Sequence, residues 1–107
     1  MNKYSVLLAP IAIEDLRRIR RYIAHELCEP ETAAALVNRI REEILKLQSF
    51  PYSHQLVRDS VMAQLGIRYL IVENYMAYFR IQENTKTIEV LRIAHERSNW
   101  QFLFEEF

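Results

Sequence analysis

One glycine, one cysteine and three prolines occur in 107 residues, and each scarcity removes a class of explanation. A single glycine, Gly66, cannot build the glycine-rich loops that cradle phosphates in nucleotide-binding folds. A lone Cys28 cannot close an internal disulfide, which fits a reducing, cytoplasmic setting. Charge of one sign is missing too: 14 basic residues against 14 acidic ones leave a formal net charge of zero. No global field therefore draws the chain to nucleic acid, and any polyanion must be met by a local cluster. Long apolar runs are absent. The early run VLLAPIAI is too short to span a bilayer and leads at once into EDLRRIRR rather than a small-residue cleavage site, so neither a membrane span nor a targeting segment is expected. The three histidines, His25, His54 and His95, are scattered, with no HExxH helix and no paired cysteines, so no metal or other cofactor is expected.

What remains is a chain that is 50% hydrophobic. A single domain over residues 1–107 can bury roughly two-thirds of the surface its unfolded chain exposes, and needs neither metal nor disulfide to fold. Lys3 to Ala9 reads as an opening strand whose apolar end points to burial on both faces. Pro10 stops it and opens a helix, with Glu14 and Asp15 placed to favour the positive helix start. Ala12, Leu16, Ile19, Ile23 and Leu27 then fall on one helical face, flanked by Arg17, Arg18, Arg20 and Arg21, and the helix should end near Cys28. Glu29-Pro30-Glu31-Thr32 restarts the chain, and Ala33, Val37, Ile40, Ile44 and Leu47 form a second stripe. So short a connection makes the two helices an antiparallel hairpin. Burial of Ile40 or Ile44 would contribute roughly 1.5–3 kcal/mol each. Phe50-Pro51 closes the second helix. Within 52–66, Leu56-Val57 can add a short strand and Val61 to Leu65 a turn of helix.

From Ile67 onward the period changes to two. Ile67–Val72, Tyr75–Gln82 and Thr87–Ala94 are rich in β-branched and aromatic residues, and Glu73-Asn74 and Glu83-Asn84-Thr85-Lys86 supply turns. They predict an antiparallel meander. The tail places Trp100, Leu103, Phe104 and Phe107 on one face of a short terminal helix. The fold class is therefore α+β: a two-layer β-α-α-β-β-β-α domain with the helical hairpin on one face of a mostly antiparallel sheet and the opposite face available.

Chemistry, if present, should lie where the meander ends in His95-Glu96-Arg97-Ser98-Asn99-Trp100. A histidine can move a proton near neutral pH, and arginines can hold a phosphate while charge builds during attack by a ribose 2′-hydroxyl. Such a set is enough for a metal-free ribonuclease. The structural alternative is that the histidine is a hydrogen-bonded strand end and the arginines pair with Glu73 or Glu89. Whether Arg68 and Arg80 share a sheet face depends on the length of the Val72–Tyr75 turn, odd or even.

Several stretches together resemble one family. The element order, the second helix ending in LQSFPYS, then GIRYLIVENYMAYFRI and TIEVLRIAHERSNW, are similar to the RelE/ParE superfamily of toxins from bacterial type II toxin–antitoxin modules. The R-x-L-x-V-x-N-Y pattern at Arg68 to Tyr75 and the V-L-R-I-x-H-x-R run at Val90 to Arg97 carry the resemblance over nearly the whole chain. It implies a cytoplasmic protein silenced by a cognate antitoxin; the apolar stripe of Trp100, Leu103, Phe104 and Phe107 packs either on its own sheet or on that antitoxin, for which these are the expected docking residues. It also implies a growth-arresting activity of one of two kinds. In RelE-like members this is ribosome-dependent cleavage of mRNA, with His95 as general acid/base, Arg97 as transition-state stabiliser, Arg68 as phosphate ligand, and Arg80 and Arg92 on the RNA. In ParE-like members it is non-enzymatic poisoning of DNA gyrase. Nuclease members carry a further basic residue where this chain has Tyr75-Met76-Ala77, and they are strongly basic, whereas this chain is neutral; the N-Y pattern leans toward ParE-like sequences. The endoribonuclease is the expected activity, with the gyrase poison, or a binding domain that kept the fold and lost activity, as alternatives.

Overall fold

The computed structural model describes residues 4–98. Strand β1 (Ser5–Leu8) leads into helix α1 (Pro10–Arg21), a π-helical turn (Tyr22–Glu26) and helix α2 (Pro30–Leu45). Two 3-10 turns (Lys46–Gln48, Pro51–Ser53) and a short helix α3 (Ser60–Gln64) bring the chain to β2 (Ile67–Val72), β3 (Tyr75–Gln82) and β4 (Thr87–His95). The expected hairpin and meander are both present. The terminal helix, and with it Trp100, Leu103, Phe104 and Phe107, lies outside the described residues.

Each boundary has a local cause. Pro10 occupies the first helical position of α1, where its missing N–H costs nothing, and Pro30 does the same for α2. The π-helical turn lets the Leu27 N–H donate to Tyr22 O at 3.3 Å, five residues back. The extra residue rotates the face, so Ile23 stays buried while Leu27, expected on the same stripe, is 48% exposed. Cys28 then takes a left-handed φ of 55°, and the Glu29 N–H closes the end on Ile23 O at 3.1 Å. Asp59 caps α3 by accepting from the Met62 N–H at 2.9 Å. Gly66 follows α3 at φ 81°. A Cβ there would meet nothing within 4 Å, so the backbone conformation rather than crowding selects glycine.

The sheet order is β1-β4-β3-β2, with β1 parallel to β4 and the other pairs antiparallel. On the hairpin side, Phe79, Ile88, Val90 and Ile93 pack against Leu16, Val37, Ile40, Ile44 and Leu47. Ile23, Ile40, Ile44 and Phe79 are buried as expected, and Ile19 is half-buried against the same core. Two expectations need correction. β1 is not buried on both faces: it is an edge strand covered by helices on one side, and Leu7 is 57% exposed. The second sheet face is not wholly open either. Residues from the 55–64 connection cross it, so that Met62 and Val57 pack on Ile67, Tyr78 and Leu91 in a smaller second core. The Leu56-Val57 strand is real but minimal, a single bridge from Leu56 to Arg68.

Candidate functional site

The Glu73-Asn74 hairpin loop decides which side chains can meet. Val72 pairs directly with Tyr75, so the loop has two residues, and Arg68 pairs with Phe79 while Ile67 pairs with Arg80. An even loop puts Arg68 on the hairpin face with Phe79 and Arg80 on the other face with Ile67. The two arginines therefore do not cooperate.

Arg68 is drawn into the rim of the main core. Its Nη1 donates to His54 O at 2.6 Å, and its guanidinium lies 5.1 Å from the centre of the Tyr52 ring, a cation–π contact. His54 itself meets Phe79 edge-on at 5.9 Å, and burial first, then the Arg68 charge, lowers its pKa. Beyond this group, the Tyr52 and Tyr4 hydroxyls both donate to Glu83 Oε2, at 2.8 and 2.9 Å, and Lys86 pairs with the same carboxylate. Those bonds, Lys86 first and then Tyr52 and Tyr4, hold Glu83 down to about 2. Arg68 thus sits beside a polar clasp that ties together the chain before β1, the turn after α2 and the β3–β4 connection.

Arg80 and Arg92 are paired. Arg80 Nη2 donates to Glu89 Oε1 at 2.9 Å. Arg92 sends Nε and Nη2 to the two oxygens of Asp15, at 2.8 and 2.9 Å, in a bidentate bond whose partners are 12% and 4% exposed. The reason is topological. β1 ends at Leu8 opposite Val90, and the register of β3 on β4 slips at Tyr78/Phe79. Past that point β4 has no strand on its β1 side among the described residues. Asp15, from α1, supplies the missing acceptor and takes the Ile93 N–H at 2.9 Å. An acid expected to serve the helix dipole instead anchors α1 to β4. With its guanidinium bonded to Asp15, Arg92 helps hold α1 on β4.

His95 and Arg97 meet through the Arg97 backbone N–H, two residues along the chain. His95 pairs with Tyr75 across the sheet, their rings edge-on at 5.4 Å, and His95 Nδ1 accepts from the Arg97 N–H at 3.1 Å. The Tyr75 hydroxyl is raised in pKa by burial first and then by the neighbouring Tyr22. The π-helical turn therefore adds Tyr22, 54% exposed, to a His95–Tyr75–Arg97 corner. Sequence reasoning did not place Tyr22 or Tyr75 there. The register made Tyr75 readable; nothing local marks Tyr22, because its position depends on the packing of α1.

Arg68 is remote from this corner. Tyr75 pairs with both Val72 and His95, so Arg68 lies four residues further along β2, about 13 Å, and two strands across, about 10 Å. The three residues expected to share a catalytic site do not converge.

On the second face, Val57, Met62, Tyr69, Ile71, Met76 and Tyr78 line a groove of about 460 Å³, with Arg58, Asp59 and Glu96 at its polar positions. Ile71 is 58% exposed within it. Among the described residues no group of three or more His, Cys, Asp or Glu side chains could hold a metal ion, and no helix is long and apolar enough to cross a membrane.

Comparison with known proteins agrees with this architecture. Residues 6–100 match the ParE toxin of the type II toxin–antitoxin system, parDE. No curated protein matches the chain. Among solved structures, the chain is similar to the chromosomal ParDE toxin–antitoxin system from P. aeruginosa, at 28% identity and a TM-score of 0.72, over 87% of this chain and 96% of that one. The toxin–antitoxin complex RelBE2 from Mycobacterium tuberculosis shares the fold at 21% identity and a TM-score of 0.62, over 87% and 98% of the two chains. A mutant of the E. coli toxin RelE in the free state shares it at 8% identity and 0.66, over 99% and 94%. With the family matching nearly the whole chain and the hairpin-on-sheet fold in place, the chain belongs to the ParE toxins of type II toxin–antitoxin systems, within the RelE/ParE superfamily.

Proposed function

We propose that this toxin arrests growth in the ParE manner, as a protein that binds and poisons DNA gyrase, rather than by cutting mRNA. The observation that carries the reading is the dispersal of the nuclease set. Arg68 is held at one end of the hairpin face, Arg92 is locked to Asp15, Arg80 is paired with Glu89, and His95 meets Arg97 through its backbone N–H. Phosphoryl cleavage needs proton transfer and charge stabilisation at one phosphate, and the residues that would supply them are spread over both faces of the sheet. Poisoning a protein target needs only a surface. The ParE family match supports the same side. The endoribonuclease that the strand-end histidine and the resemblance favoured is the reading with less geometric support.

The cognate antitoxin, in this reading, lies over the second sheet face. The groove there is apolar at its base, and beyond Tyr69, where Gln55 and Val57 stop pairing, no described residue covers the outer edge of β2, which can take an added strand. Expression of the wild type and of His95→Ala in a bacterial host tests the whole. The reading expects both to stop growth, with gyrase-linked DNA breaks and intact mRNA by primer extension. Cleavage of translated message by the wild type that disappears in His95→Ala overturns it in favour of the nuclease.

A further inference from the structure

Away from both faces of the sheet, a second groove of about 260 Å³ runs between α1 and α2, lined by Arg17, Arg20 and Arg41 with Asn38 beside them over Leu16 and Val37. Among the described residues no carboxylate lines it. Arg17 makes one loose contact, 3.6 Å to Glu14, and Arg21 reaches the same carboxylate at 3.9 Å. Among the described residues Arg20 and Arg41 have no carboxylate within salt-bridge distance. In a chain of zero net charge, three guanidiniums around one polar groove concentrate positive potential that, among the described residues, only the exposed Glu14 contacts offset.

We infer that this groove takes phosphates of a DNA backbone, and so gives the toxin a direct hold on the DNA that gyrase carries. Two features select phosphate over an acidic protein segment. The floor offers little to an amphipathic peptide, since Leu16 is 1% and Val37 6% exposed. All three cations are arginine, whose planar fork matches phosphate oxygens and is weakly hydrated, and Asn38 adds an amide donor. Arg18 and Arg21 continue the charge along α1, both more than half exposed at 62% and 61%. The Glu14 contacts are exposed rim pairs of the kind worth little, so they yield readily to a phosphate.

The biological setting of this inference rests on the gyrase reading, but its test does not. Toxin freed from co-expressed antitoxin is titrated with a short labelled DNA duplex, without gyrase, across a range of salt. Three phosphate contacts predict a slope of log K against log salt near −2.7, falling to about −0.9 in Arg20→Gln/Arg41→Gln. Arg20→Lys/Arg41→Lys should restore most of the slope, and Lys46→Gln, which removes a charge outside the groove, should reduce binding far less. A duplex that does not bind, or binds equally well to Arg20→Gln/Arg41→Gln, overturns the inference. So does a glutamate-rich peptide that binds through Arg20 and Arg41 where the duplex does not, which would make the groove a site for an acidic protein segment. If the duplex binds as expected but gyrase is unaffected in cells, the groove stands and the gyrase reading fails.

Discussion

Removing the carboxylate of Asp15 separates a structural role for Arg92 from a role at the target. Asp15 is 4% exposed and accepts three short bonds, two from Arg92 and one from the Ile93 N–H, with Arg18 at 3.8 Å as a fourth neighbour. Asp15→Ala strips the guanidinium of its carboxylate and leaves a buried N–H without an acceptor. Breaking one side of a buried pair costs about 3–5 kcal/mol, against total stabilities of about 5–15 kcal/mol for domains of this kind. Arg92 is 12% exposed, and the water that reaches it moves the expectation to the lower half of that range. With urea slopes of about 1–3 kcal/mol per molar for small proteins, the unfolding midpoint should fall by roughly 2 M. Arg92→Ala should fall by a similar amount, and Asp15→Leu/Arg92→Met should recover much of the loss, because apolar replacement of a whole buried pair is often neutral. Urea unfolding of the four proteins measures all of this. A midpoint loss below about 0.5 M in Asp15→Ala, together with an Arg92→Ala that is stable but no longer toxic, would refute the argument and return Arg92 to the target interface.

Other expectations are simpler to state. Ile44→Ala, at a site 1% exposed in the main core, should cost about 2–5 kcal/mol in the same unfolding assay. Gly66→Ala, at φ 81°, should cost about 1–2 kcal/mol through backbone strain alone, since the space around it is empty. Ile71→Asp should leave growth arrest intact and abolish rescue by the antitoxin, measured by co-expression; rescue at wild-type level would move the antitoxin off the second face. Glu83, held at about 2 against an ordinary 4.5, contributes stability that is present above the ordinary value and lost as pH falls toward the folded one. The difference between wild type and Glu83→Gln should therefore shrink across that acid window. Tyr4 and Tyr52, raised above 10.0 mainly by their bonds to Glu83, give the opposite sign: their contribution is present below that value and lost as pH rises through the folded values.

The helical hairpin and the meander are legible in the sequence because both are written in a local period. The apolar stripes of the two helices, Pro10 and Pro30 at the helix starts, and the alternation from Ile67 to Ala94 depend on neighbours within a few residues, and those segments fold as read. Even the open question of Arg68 and Arg80 was posed correctly; a loop of two residues answered it by placing them on opposite faces. The contacts that the local pattern leaves open join partners far apart in the chain. Asp15 and Arg92 lie 77 positions apart, and Tyr4 and Glu83 lie 79 apart; no periodicity announces such pairs. β1 joins the sheet as a parallel edge strand against β4, so its apolar run was mistaken for an interior strand. The nuclease arrangement was plausible on paper because Arg68, His95 and Arg97 all belong to the meander or its end. Three strands of sheet geometry then set Arg68 four residues away along β2 and two strands across from His95. Sequence specifies which residues occupy a strand, but distance within a sheet is set by register and strand order, which only the folded chain supplies.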